Sequence, residues 1–184
     1  MISAPYTRLA LSLSLSLFAL GGCAAKNADS PAEAVNAIRE ITLPPPTAAE
    51  GASLGKGGKD QPFQVGFGRS LPADQQRIDL SDLSWSAAPT GGHRAVVSVR
   101  SPEAQSVRVG IRLAVAVAGL KLTFAGAEGP ITVVDSKVIA QQSSGGDPYW
   151  SPVIKGDTVS IELSTPTIPA PGVVLELPSV SHIR

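Results

Sequence analysis

Three groups of residues in this chain are of types that perform acyl transfer or take a covalent modification. Gly51-Ala52-Ser53-Leu54-Gly55 has the Gly-x-Ser-x-Gly spacing of a nucleophile elbow. An elbow needs a buried strand before the serine and a helix after it, because that junction strains the turn and presents the hydroxyl. Pro44-Pro45-Pro46 lies upstream and Lys56-Gly57-Gly58 follows, so neither support is present and the pattern reads as chance. His93, Asp135 and Ser144 stand in the order base, carboxylate, nucleophile. A triad requires the base within hydrogen-bond reach of the serine, and a buried carboxylate that fixes the imidazole. Thr90-Gly91-Gly92-His93 and Ser143-Ser144-Gly145-Gly146 have the composition of turns, which places His93 on an exposed turn and Ser144 in a Gly-rich hairpin. His93 and His182 lack partners at metal-ligand spacing, and the glycine-rich stretches lack a phosphate-loop pattern, so no metal or cofactor is expected. The third group is one residue, Cys23, the sole cysteine.

The setting of Cys23 gives its sulfur a chemical role. Met1 to Arg8 carries one positive charge and no acid, and Leu9 to Leu20 is an apolar run of signal-peptide length. That run is too short to cross a membrane, which takes about 20 residues. It closes as Leu20-Gly21-Gly22-Cys23, which resembles the lipobox of bacterial lipoproteins, whose cysteine is acylated and then exposed by cleavage. One acyl chain binds a membrane marginally and two or more anchor it stably. The expectation is a signal peptide over residues 1–22, lipid on Cys23, and a cell-envelope location. Ala24 rather than an aspartate follows the cysteine, and by the same resemblance this implies the outer membrane in a Gram-negative host.

Composition bounds the remainder. Lys plus Arg and Asp plus Glu each number 15, and removal of Arg8 with the signal leaves a near-neutral, slightly acidic chain. Such a balance predicts no attraction to nucleic acid. A single cysteine permits no internal disulfide, so the domain must stand on its core. With 18 Gly and 16 Pro against few aromatics, the composition suits short strands joined by turns.

Residues 23–61 read as a flexible tether, with the three prolines and Gly51 to Lys59 as its least structured parts. Ser30-Pro31-Ala32-Glu33 has the form of a capping box, and Val35, Ile38 and Ile41 recur at helical spacing, so a short helix is expected there. Residues 62–184 read as the folded domain. Ser106 to Val115 is its clearest strand: Val107, Val109, Ile111, Leu113 and Val115 face one way, with Arg108 and Arg112 on the other. Phe63 to Phe67, Arg77 to Trp85, Arg94 to Arg100, Leu120 to Phe124, Ile131 to Ile139, Thr158 to Leu163 and Val173 to Leu177 complete the set. Seven or eight short strands separated by turn signals predict an all-β protein, an antiparallel β-sandwich or jelly roll.

Several segments then occur in a recognisable order. They are Phe67-Gly68-Arg69, Leu83-Ser84-Trp85, Val97 to Ala104, Ser106-Val107-Arg108-Val109, Tyr149 to Leu163, and Leu175 to His182. Together they resemble the non-catalytic N-terminal region of secreted bacterial serine endopeptidases of the lysyl-endopeptidase, trypsin-like group. In those proteins the region precedes the protease domain and ends at a similar Val-x-His; here the chain reaches Arg184 where the protease would begin. The resemblance implies no catalytic residue in this chain. It implies an accessory or pro-region that acts on a serine protease in trans, or the remnant of a truncated gene. The alternative is a module that binds cell-envelope polysaccharide or protein, with Trp85, Tyr149, Trp150, Arg108 and Arg112 as its ligand-binding residues. A serine hydrolase is the minor alternative.

Overall fold

The computed structural model describes residues 37–56 and 63–184. Cys23, the signal peptide and the first part of the expected helix lie outside the described residues. The strands, in chain order, are β1 (Arg39–Thr42), β2 (Gly66–Ser70), β3 (Arg77–Asp79), β4 (Ser86–Ala87), β5 (His93–Arg100) and β6 (Ser106–Leu113). They continue with β7 (Lys121–Gly126), β8 (Gly129–Asp135), β9 (Tyr149–Trp150), β10 (Ile154–Lys155), β11 (Thr158–Thr165) and β12 (Val174–Ile183). One α-helix, α1 (Ser136–Ser143), follows β8.

The strands form two six-stranded sheets. The first runs β1-β5-β11-β7-β8, with β4 also on β5. The second runs β10-β6-β12-β2, with β3 on β12 and β9 on β6. Their inward rows interdigitate in one core, as the all-β sandwich expectation required. Val107, Val109, Ile111 and Leu113 of β6 meet Val159, Ile161 and Leu163 of β11, and all seven are buried. Burying a side chain of this size is worth about 1.5–3 kcal/mol. With no disulfide available, that burial sustains the fold.

Four local readings change. The helical spacing through Ile41 is overridden, because β1 pairs in parallel with β5, Arg39 beside Val97 and Thr42 beside Arg100. Leu43 precedes Pro44, and a residue before proline is driven from helical to extended backbone. Ile41 and Leu43, two apart, are both buried, so the sandwich begins inside the stretch read as tether, well before residue 62. The strand expected over Ile131 to Ile139 ends at Asp135, whose carboxylate accepts the Lys137 N–H at 2.8 Å and caps α1; Ile139 enters the core from the helix. Arg77 to Trp85 is broken by a 3-10 turn at Leu80–Asp82, capped by Asp79. Finally, β12 continues past Pro178 to Ile183, because a bulge between Glu176 and Ser179 accommodates a residue that cannot donate to the ladder.

Val115, expected inward at the end of β6, lies beyond the strand and is 59% exposed. β6 stops at Leu113 because the chain there leaves its sheet to enter the other one at β7.

Candidate functional site

A connected polar cluster lies inside the sandwich. β2 alternates Phe67, Arg69 and Leu71 inward, which carries a guanidinium into the sandwich, where Arg69 is 5% exposed. Its Nε donates to Glu50 Oε1 at 3.0 Å, its Nη2 to the Pro44 carbonyl at 2.8 Å, and its Nη1 to Ser101 Oγ at 3.3 Å. Ser101 Oγ lies 2.9 Å from His182 Nδ1, and Phe67 stacks on that imidazole with centroids 4.7 Å apart. The cluster therefore ties the segment from Pro44 to Glu50, β2, the turn after β5, and β12 into one unit.

Electrostatics explains its composition. Glu50 accepts the Thr47 N–H, then Arg69 and the Thr47 hydroxyl, and these bonds bring its pKa down to about 2. A buried guanidinium demands such a carboxylate. His182 has its pKa lowered, first by burial and then by the positive charges of Arg184 and Arg69, so it is held as neutral imidazole. Ser101 and His182 make the hydrogen bond of a nucleophile and its base, but both are wholly buried, a cation sits on the serine, and Nε2 has no partner. No carbonyl can reach that hydroxyl, and no carboxylate orients the ring as a triad requires. The pair is a packing device.

The two serine motifs singled out from sequence fall in a 3-10 turn and at a helix end. Gly51 to Gly55 overlaps a 3-10 turn at Glu50–Ser53, with no strand leading directly into it and, among the described residues, no helix after it. Ser144 lies at the end of α1 rather than in a hairpin, and its hydroxyl donates to the Gln141 carbonyl at 2.8 Å. Asp135 is that helix's N-cap, and His93 opens β5 instead of sitting on a turn.

The five expected ligand-binding residues divide between packing and surface. Trp85 donates its indole N–H to the Leu80 carbonyl at 2.7 Å and packs on the core. Tyr149 also packs there, stacked on Phe124 at 6.1 Å, and burial raises its phenol pKa against the opposing pull of Arg108. Trp150 is half-buried, with the Arg108 guanidinium over its ring at 5.7 Å. Arg108 also donates Nε–H to the Ser151 carbonyl at 2.9 Å, so the cation is fixed over the ring. Of the five, then, Arg108, Tyr149 and Trp150 are brought together, and no three-aromatic platform forms. Val153, three residues beyond Trp150, is 53% exposed.

Arg112 stands apart on the outer face of β6. Its register neighbour on β12 is Glu176, whose neighbour on β3 is Arg77. These three side chains line a cleft of about 290 Å³. Asp79 secures the adjoining loop by accepting the Gly172 N–H at 2.6 Å; that bond, followed by those from Ser81, lowers its pKa. Sequence reasoning missed Arg69, Ser101 and Glu50 as a group. The available signal was an arginine at an inward position of an alternating strand, which must find an acid.

Comparison with known proteins agrees with this architecture. The model of the lysyl endopeptidase N-terminal domain family matches residues 42–184, and the chain belongs to that family. The match begins at Thr42, the last residue of β1. The chain is 39% identical over 126 residues to a lysyl endopeptidase of Pseudomonas aeruginosa strain PAO1. That alignment covers 66% of this chain and 26% of the relative, so the likeness spans about a quarter of the longer protein.

Proposed function

We propose that this member of the lysyl endopeptidase N-terminal domain family is a lipid-anchored, extracytoplasmic binding domain without catalysis of its own, which engages a serine endopeptidase in trans. One observation carries the reading. The family match spans the sandwich, and the one serine–histidine pair formed among the described residues is sealed inside it. The groups that resemble catalytic machinery hold elements together, which leaves binding through the surface as the work available to the domain. Lipid on Cys23 would keep that surface at the cell envelope, where an exported protease passes.

The direct test uses the purified chain and a lysine-specific trypsin-like protease domain. The chain is added either to the active enzyme or to its denatured form during refolding. Saturable inhibition, or a higher yield of active enzyme, is the expected result. If neither occurs at micromolar chain and the two proteins do not co-elute, the trans-acting reading fails. The chain alone should release no product from peptide or ester substrates, and turnover abolished by Ser101→Ala or Ser144→Ala would make it an enzyme. A glycan-binding module retains support from Trp150, and envelope polysaccharide binding lost in Trp150→Ala would favour that reading instead.

A further inference from the structure

Arg112 lacks a counterion. Across three strands the register sets Arg112, Glu176 and Arg77 in one row on the outer face of their sheet. Glu176 is ion-paired with Arg77. Among the described residues no acid pairs with Arg112, and its Nε is buried without a hydrogen-bond partner. A buried donor left in this state is costly. Arg112 also lines a cleft whose volume of about 290 Å³ accepts several heavy atoms, with Ser143, Val115 and Val173 among its other walls.

We propose that this cleft binds a carboxylate through the Arg112 guanidinium. The two Nη groups of a guanidinium offer N–H donors side by side, and the two oxygens of a carboxylate match that fork. Charge selects the same class. Two guanidiniums and one carboxylate leave the cleft with a single positive charge, which suits a monoanion better than a phosphate dianion. The apolar walls favour a carboxylate borne on a short aliphatic stem. Two sources share this chemistry: a free short-chain carboxylate, and a glutamate side chain of a polypeptide. The inference is independent of any protease partner.

The test follows the Arg112 Nε–H resonance of the purified chain by ¹H–¹⁵N NMR. The probes are sodium butyrate, an acetylated and amidated peptide with one glutamate, and the same peptide with glutamine. Chloride and phosphate at matched ionic strength are the controls. Butyrate should move the resonance saturably, and the glutamate peptide should bind about tenfold more tightly than the glutamine peptide. A glutamate peptide tighter than butyrate identifies a polypeptide source, and the reverse order identifies a free carboxylate. Arg112→Lys keeps the charge but loses the fork and should weaken binding about tenfold. Arg77→Gln releases Glu176 toward Arg112 and should weaken it too, which serves as the independent variant if Arg112→Lys does not fold. The proposal is overturned if no probe saturates, or if chloride and phosphate shift the resonance as butyrate does.

Discussion

Replacing Glu50 by Gln tests whether the buried cluster holds the segment from Pro44 to Glu50 on the sandwich. The Arg69 side chain is 4% exposed and that of Glu50 is 32% exposed, at 3.0 Å. Removing one partner from a fully buried pair typically costs about 3–5 kcal/mol, because a charge is left uncompensated. A surface pair is worth about 0–1 kcal/mol. This pair lies between those limits, since Arg69 is sealed while water reaches the carboxylate. Glutamine still accepts one hydrogen bond from Arg69, so the expected loss is about 1.5–3 kcal/mol at pH 7.

The pH dependence distinguishes lost charge from lost packing. Glu50 has its pKa lowered to about 2 from an unfolded value near 4.5. A carboxylate with a depressed folded pKa contributes stability that is complete above its unfolded pKa and is lost as pH falls through the folded one. The gap between wild type and Glu50→Gln should therefore be full from pH 7 to about 4.5, shrink below that, and close near pH 2. His182, also depressed, adds its own loss of stability as pH falls below 6.5 in both proteins, and because the Glu50 charge opposes that depression the loss is slightly larger in Glu50→Gln. Urea melts at pH 7, 5 and 3 measure the gap. No gap at pH 7, or one that persists unchanged at pH 3, refutes the electrostatic account of the cluster.

Three further outcomes follow from the same structure. Ile111→Ala removes a fully buried side chain from β6 and should cost about 2–5 kcal/mol, whereas Val115→Ala, beyond the strand end, should stay within about 0.5 kcal/mol; denaturant melts compare them. In β2, a Cβ on Gly66 would lie 2.5 Å from the His182 carbonyl oxygen and one on Gly68 would touch nothing within 4 Å. Gly66→Ala should thus destabilise by about 1–3 kcal/mol and Gly68→Ala by little, with thermal melts reversing that order if β2 is misplaced. Cys23→Ser should leave the chain unprocessed or release it from membranes, and a processed mutant that still fractionates with membranes contradicts lipid anchoring.

What the sequence conveyed depended on whether local and tertiary preferences agreed. β6 was readable because strict alternation and burial coincide through Leu113. β11 was readable for the same reason. β1 was not, because Val35, Ile38 and Ile41 fit a helical period, while the burial of Ile41 and Leu43 is decided by the neighbouring β5. α1 hid behind the β-branched run of β8; its signal was Asp135-Ser136, a cap followed by helix-tolerant residues. Trp85 and Tyr149 carry a polar end that suits a ligand face, but an indole N–H that reaches the Leu80 carbonyl allows a tryptophan to pack inward. The cluster of Arg69, Ser101 and His182 draws on residues up to 113 positions apart (182 minus 69), a spacing that no local pattern reveals.

The segments by which the chain resembles its family converge on that cluster: Phe67 and Arg69 from the first, Ser101 from the middle, His182 from the last. Much of the family signature therefore specifies how β2 and β12 are locked together. The outer surface carries a separate set of charges. There β6 presents Arg108, clamped on Trp150, and Arg112, open in its cleft, on the same outward face and separated by Gly110. Four residues along a strand span about 13 Å. Between the two arginines Gly110 is buried, with the Pro148 ring 3.2 Å from where a Cβ on it would stand. A ligand that touches both arginines must bridge that distance over this ring, which an extended polypeptide does and a single sugar ring does not. Loss of protease binding in an Arg108→Ala, Arg112→Gln double variant, with unchanged urea stability, would place the partner on this face; unchanged binding would move it elsewhere.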